Sequence, residues 1–92
     1  MDKETEQFIT GHSDWHEEEG KLVGRFGLSS FDAVREVVSK IMNIAEEHDH
    51  HPEVTFGYNV VEVKTVTHDK GNTITEKDLK LAEAISNTIS NK

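Results

Sequence analysis

Histidine is the side chain whose charge changes near neutral pH, so several of them close together form a candidate proton-transfer site. The run Ala45-Glu46-Glu47-His48-Asp49-His50-His51-Pro52-Glu53 holds three histidines and four carboxylates in nine residues, and its proline is the only one in the chain. A second polar cluster, Thr67-His68-Asp69, starts sixteen residues after His51. Such a set can do general acid–base chemistry if the intervening chain brings the two clusters together. Histidine and carboxylate are also zinc ligands, and a metal site here would draw on His48, His50, His51 and His68. Neighbouring residues in extended backbone point to opposite sides, however, so His50 and His51 do not easily face one ion. Proton transfer is the better reading.

The element that must position the first cluster lies just upstream. Phe31, Val34, Val38, Ile41 and Ala45 recur at alternating spacings of three and four, and Val37, Met42 and Ile44 widen this apolar stripe. Ser29 or Ser30 opens the helix, with Ser29 and Asp32 fitting a loose capping box. Three residues beyond Ala45 the same stripe reaches His48, which the pattern assigns to the buried face. The helix must stop before Pro52, because a residue preceding proline is pushed out of the helical region. His50 and His51 therefore fall at or just past its end.

Two strands follow. Val54, Phe56 and Tyr58 alternate on the first, and Val61, Val63, Thr65 and Thr67 on the second, with Val66 and His68 facing the other way. A turn centred on Tyr58-Asn59 sets His51 opposite Val66 and Asp49 opposite His68. The hairpin thus returns a further imidazole to the proline corner.

The remaining segments supply the frame. Asp14 to Gly27 reads as two short strands joined at Glu19-Gly20, with Leu22, Val23 and Phe26 as core contacts and Trp15 as a packing anchor. Lys3 to Ile9 gives a marginal helix with only Phe8 and Ile9 to bury. After a loop over Asp69 to Thr73, Thr75 caps a last helix with Asp78 in the capping-box position, and Leu79, Leu81, Ala82, Ile85 and Ile89 form its buried face. His12 and His16 are expected at the surface. The expected fold class is α+β: a four-stranded, mostly antiparallel sheet with helices packed on one face, in the order (α)-β-β-α-β-β-α. It forms a single domain over residues 1–92, with 1–13 as its looser end.

Composition narrows the function classes. At 92 residues one small core is expected, and with no cysteine neither a disulfide nor a thiolate zinc site can brace it. The net charge of −8 argues against direct nucleic-acid binding, which needs a basic surface. No apolar run is long enough to cross a membrane, and the acidic Met1-Asp2-Lys3-Glu4 start has no secretory pattern, so the expected location is cytoplasmic.

Taken together, these residues resemble the pterin-4a-carbinolamine dehydratases. The pattern is Glu46 four residues ahead of His50 in a His-His-Pro motif, Tyr58-Asn59 in the hairpin, Thr67-His68-Asp69 at its end, and Thr75-Glu76-Lys77-Asp78-Leu79-x-Leu81-Ala82 opening the last helix. Trp15 matches the tryptophan that begins the family's first hairpin, and the likeness covers about Trp15 to Ile85. It departs in the loop Asp69-Lys70-Gly71-Asn72-Thr73-Ile74, shorter in many members, and at Val54, aromatic in some.

The resemblance implies a hydro-lyase that converts a 4a-hydroxytetrahydropterin to the quinonoid dihydropterin and water, in tetrahydrobiopterin-type recycling. No metal or organic cofactor is implied, since the pterin is the substrate. It implies His50, His51 and His68 as the catalytic histidines, with His50 and His68 as the proton-transfer pair and His51 binding or supporting. Trp15, Glu46, Asp49, Pro52, Asp69 and Lys77 are the implied substrate-binding set, Trp15 by stacking on the ring. A homodimer or homotetramer is also implied. The alternatives are a non-catalytic dimerisation or binding module, or a role with another pterin such as the molybdenum cofactor's precursor.

Overall fold

The described residues form two β-hairpins and three helices: α1 (Lys3–Gly11), β1 (Trp15–Glu18), β2 (Lys21–Gly27), α2 (Phe31–His48), β3 (Glu53–Phe56), β4 (Val60–Thr65) and α3 (Glu76–Ser90), with a 3₁₀ turn over His68–Lys70. The structure, a computed structural model, describes residues 2–90; Met1, Asn91 and Lys92, the ends of the expected domain, lie outside the described residues. The sheet has the order β1-β2-β4-β3, and every neighbouring pair is antiparallel. This is the α+β arrangement expected from the sequence.

Local chemistry sets the element ends. Asp2 caps α1 by accepting the Thr5 N–H at 2.8 Å. Glu19 (φ 51°) and Gly20 (φ 80°) are both left-handed, as a tight hairpin turn needs, and the Gly20 N–H donates to the Glu17 carboxylate. Ser30, not Ser29, caps α2, accepting the Ala33 N–H at 3.1 Å. In the second hairpin Val54 faces Val63 and Glu53 faces Lys64, the register expected from a Tyr58-Asn59 turn.

The core lies between one face of the sheet and the helices. Trp15, Leu22, Phe26, Val61 and Val63 from the sheet meet Val34, Val37, Ile41 and Ile44 of α2 and Leu81, Ala82 and Ile85 of α3, while Phe8 and Ile9 of α1 pack against this cluster. Trp15 lies across Gly24 on the next strand, where an added Cβ would come within 2.8 Å of the indole, so only glycine leaves room for that ring. The opposite face is charged: Arg25 bonds Glu18 at 2.8 Å and Glu62 at 2.6 Å, and His16 pairs with Glu18. Among the described residues no helix is long and apolar enough to cross a membrane.

Three expectations about α2 need correction. Its buried stripe runs through Val34, Val37, Ile41, Ile44 and Ala45, while Phe31 and Met42 remain 46% and 58% exposed. His48 is exposed rather than buried. The helix ends at His48 and the chain reverses at Asp49 toward the sheet, which leaves that ring in solvent.

Candidate functional site

The corner after α2 is made by a left-handed residue and a proline. Asp49 (φ 50°, ψ 44°) closes the helix, its N–H donating to the Ala45 and Glu46 carbonyls, and the His50 N–H also returns to Ala45 at 3.1 Å. Aspartate is among the few residues besides glycine that adopt this conformation routinely. The reversal turns the His50 side chain inward, to 12% exposure, and leaves His51 outward at 63%.

Inside, His50 meets a carboxylate. Its Nε2 lies 2.6 Å from Oδ1 of Asp78, which is fully buried at the start of α3. Asp78 also accepts from the Thr65 hydroxyl at 2.6 Å, the Thr67 hydroxyl at 2.8 Å and the Thr75 N–H at 2.9 Å. Four donors fill the acceptor positions of one carboxylate. Burial pushes the Asp78 carboxyl up, but the bonds from Thr65, His50, the Thr75 N–H and Thr67 together outweigh it, and the group lies below its ordinary value. Asp78 is therefore an acceptor only, His50 Nε2 carries a proton toward it, and Nδ1 is the nitrogen left free.

His68 reaches the same region by a different route. The strand ends at Thr65, so His68 is not the strand residue expected from alternation but the first residue of the 3₁₀ turn. The Thr67 N–H donates to the Thr73 carbonyl at 2.9 Å and pinches the loop shut. The His68 ring then lies with Nδ1 2.8 Å from the Asn72 Oδ1.

The two routes converge. His50, His51 and His68 line one cleft of about 290 Å³, with Asp49, Asp69 and Lys77 on its rim and Val66 and Thr67 beneath. That is just below the usual range for small-molecule sites, roughly 300–1,000 Å³. Glu46 holds the His51 Nε2 at 2.8 Å, yet Glu46 and Pro52 line a neighbouring apolar cavity of about 330 Å³ with Ile41, Met42 and Val54. His51 is the wall the two spaces share. Among the described residues no three histidine or carboxylate side chains are grouped to hold a metal ion.

The sequence matches a family model described as Pterin 4 alpha carbinolamine dehydratase over residues 1–88. The chain belongs to the pterin-4-alpha-carbinolamine dehydratase family. A member from Metallosphaera sedula, provisionally named as such a dehydratase, is 36% identical over 83 residues, covering 90% of this chain and 85% of that protein. One from Prochlorococcus marinus with the same provisional name is 46% identical, covering 77% and 73%. Among solved structures, a protein described as a transcriptional coactivator/pterin dehydratase from Brucella melitensis superposes with a TM-score of 0.85 at 26% identity, covering 94% of this chain and 93% of that one. A pterin dehydratase-like protein described as a RuBisCO assembly factor of the alpha-carboxysome shares the fold, with a TM-score of 0.67 at 21% identity over 80% and 87%.

Within this dehydratase fold the expected site residues part company. His50, His51, His68, Asp49, Asp69 and Lys77 come together at one cleft, whereas Glu46 and Pro52 face the adjoining cavity. Trp15 does not reach either. It is 1% exposed in the core, its Nε1 donating to the Ser86 hydroxyl at 2.6 Å, so no ligand ring can stack on it, and the packing reading of this residue is the correct one. Asp78 was legible only as a helix cap. The signal that could have found its second role is Thr65 and Thr67, two buried hydroxyls at the end of β4 and just past it, which need a buried acceptor.

Proposed function

We propose that this chain is a hydro-lyase that dehydrates a 4a-hydroxytetrahydropterin to the quinonoid dihydropterin and water, in tetrahydrobiopterin-type cofactor recycling. Loss of the hydroxyl needs a proton delivered to the leaving oxygen and another removed from a ring nitrogen. His50 and His68 serve as that proton-transfer pair, from Nδ1 of the first and Nε2 of the second. His51 supports the ligand at the rim, and Asp49, Asp69 and Lys77 offer polar contacts to the pterin's edge. No metal or organic cofactor takes part in this scheme. Positioned general acids and bases are typically worth on the order of 10²–10⁴ in rate.

The single observation that carries the reading is the convergence of three imidazoles on one ligand-sized cleft, two from the Pro52 corner and one from the loop beyond β4. The test is stopped-flow absorbance during a coupled phenylalanine hydroxylase reaction. Wild-type protein accelerates carbinolamine decay, and His50→Ala or His68→Ala removes most of the acceleration while the far-UV circular dichroism stays that of a folded chain. Decay no faster than in buffer defeats the enzyme reading.

One further observation favours a second role beside the first. Phe31, Met42, Phe56, Tyr58 and Val60 are large apolar side chains left exposed, Phe31 and Phe56 lie with ring centroids 6.3 Å apart, and β3 is an edge strand. Exposed apolar groups beside an open strand edge are suited to pairing with another chain. We therefore read the protein as a homodimer or homotetramer, and the non-catalytic binding module remains the reading that a negative enzyme assay would leave.

A further inference from the structure

The two proton-transfer candidates are held by chemically different partners, and the difference bears on the direction of transfer. His50 is held through Nε2 by a buried carboxylate. His68 is held through Nδ1 by a neutral amide, Asn72 Oδ1, at 2.8 Å. An amide oxygen has no proton to give, so His68 Nδ1 must be the donor in that bond. In the neutral ring the proton then sits on Nδ1 and Nε2 keeps a bare lone pair.

The loop is built to make this bond. Gly71 (φ 75°) and Asn72 (φ 59°) are successive left-handed residues, and asparagine is one of the side chains that tolerates such backbone. The Thr73 hydroxyl donates to the Lys70 carbonyl at 2.9 Å, and the Thr67–Thr73 bridge closes the base. The chain therefore doubles back and brings the Asn72 amide against the ring four residues earlier. Asn72 does not line the histidine cleft; it lines the cavity on the other side of the turn, with Thr5, Glu17 and Ile74. Its side-chain bond toward that cleft runs to His68, so its influence on a ligand there passes through that ring.

We infer that Asn72 is a positioning residue that fixes His68 as its Nδ1–H tautomer and so makes His68 Nε2 the proton acceptor of the dehydration. The inference rests on the dehydratase reading above. The ring-nitrogen proton passes to His68 Nε2, and the electron pair it leaves forms the new double bond to the carbinol carbon. The carbon–oxygen bond breaks with its pair going to oxygen, and that oxygen takes a proton from Nδ1 of doubly protonated His50 and departs as water. Exchange with solvent then returns each imidazole to its starting state.

The test has a readout that needs no activity. Long-range ¹H–¹⁵N spectra of the imidazoles, at about pH 8.5 where an ordinary histidine is neutral, report the tautomer of His68 in the wild type, in Asn72→Gly and in Asn72→Asp. Glycine keeps the left-handed backbone and removes the amide; aspartate keeps an acceptor in place. The wild type and Asn72→Asp show the Nδ1–H form, while Asn72→Gly shifts toward Nε2–H. In the dehydration assay Asn72→Gly lowers kcat about three- to tenfold, the size of one lost hydrogen bond, with KM unchanged, and Asn72→Asp recovers most of it. An Nε2–H wild type, or a tautomer indifferent to Asn72→Gly, overturns the inference whether or not the protein is a dehydratase. A normal tautomer shift in a protein that accelerates nothing instead overturns the reading it rests on. A rise in KM at constant kcat in Asn72→Gly also overturns it, because Asn72 would then act on ligand affinity.

Discussion

His50 and His68 lie on the same cleft and are supported in opposite ways. His50 hangs from a carboxylate that also reaches back to the Thr75 N–H at the start of α3 and accepts from two hydroxyls near the end of the sheet. It is fixed by the same bonds that fix the fold. His68 sits on an exposed 3₁₀ turn and is fixed by one amide within its own loop. One imidazole is therefore coupled to global stability and the other only to local geometry, and the two can be separated by experiment.

The largest separation is expected at Asp78. Asp78→Ala removes the acceptor from His50, two threonine hydroxyls and the Thr75 N–H at once. Breaking a buried charged network of this kind costs about 3–5 kcal/mol, a large part of the roughly 5–15 kcal/mol that holds a small domain together. Thermal or urea denaturation should show that loss. Asn72→Gly should stay within about 0.5 kcal/mol of wild type, since its bond is exposed and local. If both variants unfold at the wild-type midpoint, His50 is not tied to the fold as described.

Acid should act on the same side of the comparison. The folded Asp78 carboxyl lies below its ordinary value, so its contribution is fully present above about pH 4, the unfolded value. It is lost as pH falls from there through the folded value. Glu18, bonded by Arg25 and His16 and held at about 2, loses its partners over the same acidic range. Urea midpoints taken at pH 7, 4 and 3 should fall steeply in the wild type and less steeply in Asp78→Ala. Equal slopes in the two proteins would remove Asp78 as a source of the acid sensitivity.

The same contrast explains what the sequence could and could not reveal. The α2 stripe, the proline stop and the second hairpin's register depend on periodicity and turn chemistry, which are local, and they were enough to bring His50, His51 and His68 to one end of the sheet. The Asp78–His50 bond spans 28 positions and joins two elements, so no local pattern reports it. Trp15 carried two readings, and only the packing of Gly24 and Ser86 around it decides for the core. His48 continued the apolar period correctly, but periodicity does not say where the covering elements end. His68 was placed near its partners yet on the wrong element, because the Thr67–Thr73 bridge turns the chain two residues past the end of β4.

Between the two extremes stands His51, whose partner gives the smallest expected effect. His51 and Glu46 are 63% and 79% exposed, and their 2.8 Å bond competes with water on all sides. Exposed pairs are worth about 0.2–1 kcal/mol, which is less than a factor of about six in an equilibrium. Glu46→Gln should leave the urea midpoint nearly unchanged and raise KM for the pterin by less than about fivefold, with kcat intact. A bond of this strength can bias the His51 ring toward the cleft but cannot hold it there. A much larger rise in KM would mean that Glu46 touches the ligand directly, and that the apolar cavity behind His51 belongs to the ligand's path.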